Sequence, residues 1–76
     1  MSTLTPEDQA DRTMDLAGWR VRVRSYRLGD AYFCTVDNVD PGARIARGMG
    51  PTREDAEDLA VGRALNRLEA TRRRVV

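Results

Sequence analysis

Trp19-Arg20-Val21-Arg22-Val23-Arg24 alternates apolar and basic residues without a break. A strict period of two sets Trp19, Val21 and Val23 on one face of a β-strand and Arg20, Arg22 and Arg24 on the other. Leu28-Gly29-Asp30 then signals a hairpin turn. Residues 31–39 read as a second strand, with Tyr32, Cys34 and Val36 inward and Phe33, Thr35 and Asp37 outward. Asp40-Pro41-Gly42 signals another turn. A short third strand follows over 43–49, with Ile45 inward and Arg44 outward, and Gly48 and Gly50 bracket its end. Thr52 is placed to cap a helix, with Asp55 three residues on. Beyond it, Ala56, Leu59, Ala60, Ala64 and Leu68 recur at helical spacing, and the small residues at 56, 60 and 64 let this helix lie close to a sheet.

The first eighteen residues are less periodic. Thr5-Pro6-Glu7-Asp8 has the form of a helix start, with Thr5 as cap and Pro6 at the first helical position. The spacing predicts a short helix over 6–16 with a thin apolar stripe of Ala10, Met14 and Ala17, ended by Gly18. The predicted fold is therefore α+β: a three-stranded antiparallel sheet packed by a C-terminal helix, preceded by a short N-terminal helix. Its parts are an acidic helical segment (1–18), a β-β-β-α domain (19–71) and a basic tail (72–76). No internal repeat or low-complexity segment interrupts this order.

Seventy-six residues make one domain with a small core and no room for a deep catalytic cleft. No run of about 18 apolar residues offers a membrane span. Residues 1–18 carry Glu7, Asp8, Asp11 and Asp15, the opposite of a signal peptide, and this predicts a cytoplasmic protein. Cys34 is the only cysteine, so no internal disulfide forms, and histidine is absent, which excludes a histidine-based triad. No carboxylate pair sits by sequence in an apolar pocket that would shift its pKa, so neither an enzyme nor a metal or cofactor site is predicted.

The net charge of +1 conceals a segregation into blocks. Residues 1–18 carry −3, 19–28 carry +4, 29–43 carry −3, 44–53 carry +3, 54–58 carry −4 and 59–76 carry +4. All thirteen basic residues are arginine. Arginine makes forked contacts to carboxylate or phosphate, and a GC-rich genome also encodes basic residues in this way.

Two charged surfaces are candidates for binding. The outward sheet face gathers Arg20, Arg22, Arg24 and Arg44 with Phe33 and Tyr26. Arginines among aromatics on an open sheet suit single-stranded nucleic acid or an acidic protein surface, and they equally form a solvated face with arginine stacked on ring. The helix start carries Glu54, Asp55, Glu57 and Asp58. Acids there complement the helix dipole; they also suit docking on a basic protein surface in competition with phosphate. Arg72-Arg73-Arg74 reads as a soluble tail, Cys34 as core filler and Trp19 as a core anchor at the sheet edge.

From Gly48-x-Gly50-x-Thr52 through Ala56, Leu59, Ala60, Ala64, Leu65 and Leu68, the chain resembles the last strand and helix of a double-stranded RNA-binding domain. That family holds phosphates with lysines after the capping residue; the matching positions here are Arg53, Glu54 and Glu57. The order Val36, Pro41-Gly42, Gly50 and Thr52-Arg53-Glu54-Asp55-Ala56 also resembles the β-β-β-α unit of HicB-type antitoxins, in which acids at the helix start are usual. That resemblance implies a partial, stand-alone member without a DNA-binding segment. It would be a non-enzymatic protein that docks on and neutralises a nucleic-acid-acting partner. A mobile-element inhibitor such as an anti-CRISPR protein fits the same small, charge-segregated chain. The competing expectation is an RNA- or DNA-binding module using Arg20, Arg22, Arg24, Phe33 and Arg44. A homodimer through an exposed strand edge is compatible with either.

Overall fold

The computed structural model describes residues 7–39 and 42–73. Four antiparallel strands, β1 (Glu7–Leu16), β2 (Trp19–Leu28), β3 (Ala31–Asn38) and β4 (Arg44–Gly50), form a meander in the order β1-β2-β3-β4. One helix, α1 (Arg53–Arg73), crosses one face of that sheet. The α+β class stands, but the sheet has four strands rather than three.

The short helix expected over 6–16 is a ten-residue strand; the Thr5-Pro6 start proposed for it lies outside the described residues. Asp11, Thr13 and Asp15 share one face and Arg12, Met14 and Leu16 the other, and the strand pairs directly with the arginine-rich strand: Asp11 faces Arg24, Thr13 faces Arg22, and Asp15 faces Arg20. Cross-strand pairing, of Met14 and Leu16 with Val21 and Trp19 as well as of opposite charges, outweighs a weak local helix preference. The two strands meet through a two-residue loop, Ala17-Gly18, closing the pair Leu16–Trp19. Both loop residues take positive φ, 53° and 84°, the conformation that matches the twist of a tight hairpin.

The core lies between the sheet and α1. Val21 and Val23 of β2, Cys34 and Val36 of β3, Ala46 of β4 and Leu16 of β1 meet Ala56, Ala60, Ala64 and Leu68 of the helix. Tyr32 and Trp19 pack against this cluster, half-buried, as their strand positions predict. Leu59, assigned by spacing to the same stripe, is 39% exposed at its flank. The alanines bring the helix very close to β4. A Cβ added to Gly48 would sit 2.8 Å from the Ala60 nitrogen and 2.9 Å from the Ala56 carbonyl oxygen, so glycine is required there by contact with the helix backbone.

Ile45 is half-buried and packs against the core, the inward place expected of it, but it shares that side with Ala46. An irregularity between Val36 and Asp37 lets β4 slip by one residue: Asp37 pairs with Arg44, but Val36 pairs with Ala46. Ala46 is the buried residue and Ile45 is half-buried beside it. The bulge also changes which side chains of β4 share a face, since Arg44 and Arg47 now both lie opposite the helix.

Candidate functional site

The face of the sheet away from α1 carries no covering element among the described residues. Cross-strand register arranges it in rows. At one end, Asp15 stands beside Arg20; next, Thr13, Arg22, Asp37 and Arg44; then Asp11, Arg24, Thr35 and Arg47; and at the other end Tyr26, Phe33 and Met49.

The predicted basic stripe is assembled here, and most of its charge is offset by carboxylates of the same sheet. Arg22 donates from Nε to both carboxylate oxygens of Asp11 at 3.0 and 3.1 Å, with Nη2 2.9 Å from Oδ2. The hydrogen bond from Arg22 holds the Asp11 carboxyl below its ordinary pKa, and Asp11 in turn raises that of the guanidinium. Arg20 lies 3.4 Å from Asp15. Asp37 sits between two arginines, with Arg24 at 3.4 Å and Arg44 at 3.8 Å. Its Oδ1 is buried and accepts no hydrogen bond, so the longer contact to Arg44 is purely electrostatic.

Beyond these pairs the face changes character. The rings of Tyr26 and Phe33 stack across β2 and β3 with centroids 5.7 Å apart and planes inclined by 17°. Met49 continues the row on β4 and is 57% exposed, the highest value among the large hydrophobic residues described. Arg47 lies next to this row and has no ion pair among the described residues. Phe33, Tyr26 and Arg44 are legible in the sequence as parts of this face; Arg47 and Met49 are not. With Ile45 taken as inward, simple alternation sends both to the helix side; only the bulge turns them outward.

The acidic quartet at the helix start lies on the other side of the sheet, so the two charged surfaces form two separate faces. The quartet is also divided. Glu54, Asp55 and Asp58 are exposed, while Glu57 turns inward. Glu57 accepts from Arg12 Nη1 at 3.1 Å and from the Ser25 hydroxyl at 3.2 Å. Ser25, 2% exposed, accepts in turn from Arg53 Nη1 at 2.8 Å. Arg53 also donates to the Asp8 carbonyl and stands 5.5 Å above the Tyr32 ring. This chain of contacts fastens the first turns of α1 to β1 and β2. Arg53 and Glu57, aligned by resemblance with phosphate-binding positions, are engaged within the fold. Thr52 caps the helix as expected, its Oγ1 accepting from the Asp55 N–H at 3.1 Å.

Cys34 is fully buried. Burial, and secondarily the charge of Glu57, push its thiol up to about 11, so it is a core residue and a poor nucleophile at neutral pH. Among the described residues there is no group of three or more acids or cysteines placed to hold a metal ion, and no helix is long and apolar enough to cross a membrane. Arg72 and Arg73 end α1 in backbone terms, and Arg74 lies outside the described residues. Compared with known proteins, the chain matches no family model, no curated protein and no solved structure.

Proposed function

We propose that this chain is a non-enzymatic binding protein that docks on a protein partner through its uncovered sheet face, with Tyr26, Phe33 and Met49 as anchors and Arg44 and Arg47 as flanking charges. The observation that carries this reading is the aromatic–methionine row itself. Aromatics, methionine and arginine are the residues enriched in protein interfaces, and the Tyr26–Phe33 stack sets two rings side by side on the open face.

The alternative, a nucleic-acid-binding module on the same face, is supported by the stacked rings beside the free Arg47. It is weakened by the ion pairs. A single strand needs a continuous positive track for its phosphates, and Arg20, Arg22 and Arg24 each face a carboxylate of the same sheet. Asp11, Asp15 and Asp37 would repel the backbone that those arginines attract.

The partner proposed is a nucleic-acid-acting protein, neutralised as by a HicB-type antitoxin or an anti-CRISPR inhibitor. Support for its identity is the strand–strand–strand–helix unit from β2 to α1. The test has two arms. Labelled single- and double-stranded RNA and DNA are titrated with the protein at low and physiological salt, and affinity capture from cells is repeated with Phe33→Ala and Arg47→Glu. The proposal expects no nucleic-acid binding at low salt, and a captured nuclease or other nucleic-acid-acting protein that both variants lose. Tight, steeply salt-dependent nucleic-acid binding abolished by Arg47→Glu would establish the alternative instead.

A further inference from the structure

The two edges of the sheet are treated differently. β4 is closed by the helix: Arg63 Nη1 donates to the Arg47 carbonyl at 3.0 Å, and Arg67 Nη1 to the Ile45 carbonyl at 2.6 Å. Two arginines one helical turn apart thus occupy two successive outward acceptors of β4. This is a direct device against strand addition. No such contact lies along β1 among the described residues beyond Arg53 on the Asp8 carbonyl near its start.

Which β1 groups are free follows from the hairpin. In a two-residue loop the closing pair, here Leu16–Trp19, exchanges both backbone hydrogen bonds. By alternation Arg12, Met14 and Leu16 bond to β2, while Asp11, Thr13 and Asp15 point their N–H and C=O groups away from the sheet. The same alternation along β2 places Arg20 in register to bond β3, and the Val39 N–H donates to the Arg20 carbonyl at 3.1 Å.

We infer that β1 is the edge through which two copies of this chain associate, antiparallel about a two-fold axis, into one eight-stranded sheet. With β4 blocked, head-to-tail pairing of β1 on β4 cannot propagate, so the remaining mode is isologous and stops at a dimer. Side chains select the register. Centring on Arg12 sets Arg12 against Arg12, centring on Thr13 sets Asp11 against Asp15, and centring on Asp15 sets Asp15 against Asp15, each opposing like charges. Centring on Met14 opposes none. Met14 meets its counterpart, Leu16 meets Arg12, and Thr13 exchanges hydrogen bonds with Asp15. This register also places the half-buried Met14 against a second apolar side chain on the helix side of the sheet. The inference is independent of the partner proposed for the outer face.

Sedimentation equilibrium of the full chain from micromolar to millimolar concentration tests it, together with two variants. The expected mass approaches twice 8.5 kDa at high concentration. Thr13→Pro, which removes one outward N–H and no bond to β2, is expected to remain monomeric with an unchanged far-ultraviolet circular dichroism spectrum. Should that variant fail to fold, a second keeps the question open to measurement. Met14→Cys is expected to cross-link across the two-fold axis under mild copper-catalysed oxidation, whereas Thr13→Cys is not, and buried Cys34 stays inert in both. A monomer at every concentration with no cross-link through position 14 overturns the inference, as does a dimer that cross-links through position 13 instead.

Discussion

Single residues set the distance between helix and sheet. Gly48 faces backbone atoms of α1 at less than 3.0 Å from where a Cβ would stand, and neither Ala56 nor Ala60 can move without lifting the helix. Gly48→Ala is expected to destabilise the fold by about 1–3 kcal/mol, the usual cost of overpacking a tight contact, measurable as a shift in the urea midpoint. Cys34 sits in the layer this contact defines. Its thiol titrates at about 11 in the fold against an ordinary 9.0. The folded value is raised, so the contribution to stability is complete below pH 9 and is lost as pH climbs from 9 to 11, the range in which the unfolded chain alone gains from ionisation. That loss amounts to roughly 2–3 kcal/mol for two pKa units. Cys34→Ala should flatten the decline of stability between those pH values; an unchanged alkaline profile would place the thiol in a wetter site than the fold gives it. In the native state Cys34 should also resist thiol reagents at pH 8, and react only on unfolding.

At the scale of elements, the first hairpin decides the architecture. Ala17 takes a positive φ of 53°, a conformation that costs an L-residue with a Cβ about 1–2 kcal/mol. Asparagine tolerates it far better, and Asn-Gly is the favoured pair for this loop. Ala17→Asn should therefore raise stability by about 1 kcal/mol; thermal unfolding reads the gain, and a fall would mean that the packing of Ala17 against the core outweighs the relief of strain. The same hairpin contains the strand least legible in the sequence. β2 was legible because its apolar and basic residues alternate without exception, and α1 because its alanines recur behind a capping threonine. β1 was not, because only Met14 and Leu16 lend its buried side apolar weight, while Thr5-Pro6-Glu7-Asp8 imitates a helix start. What pairs it with β2 is the antiparallel register as a whole, in which Asp11 and Asp15 fall opposite Arg24 and Arg20, and Met14 and Leu16 opposite Val21 and Trp19. That match appears only when the two segments are laid antiparallel around Ala17-Gly18. On β4, too, the site residues Arg47 and Met49 were hidden by a single inserted residue at the bulge, which periodicity cannot locate.

For the molecule as a whole, charge segregated along the chain is partly offset in space. The acidic block before residue 18 and the basic block of 19–28 lie side by side in the sheet, and Asp37 of the next acidic block closes the pattern from the other flank. The Asp11 and Asp15 side chains are 44% and 73% exposed, so each pair contributes little to stability in water. Their larger effect is on the field above the sheet. With all three in place, the face presents five arginines, Arg20, Arg22, Arg24, Arg44 and Arg47, against three acids. Replacing Asp11, Asp15 and Asp37 by asparagine keeps the shape and unmasks the full arginine stripe beside the Tyr26–Phe33 stack. The wild-type chain is expected to ignore a single-stranded RNA at low salt, and the triple variant to bind it. Each phosphate newly engaged should steepen the fall of log affinity with log salt by about 0.7. Fluorescence anisotropy at several salt concentrations measures that slope directly. If wild type and variant bind equally well, the ion pairs do not guard the face and its partner is nucleic acid after all. If only the variant binds, the three aspartates are what keep an arginine-rich sheet from acting as a nucleic-acid platform, leaving it free to recognise a protein.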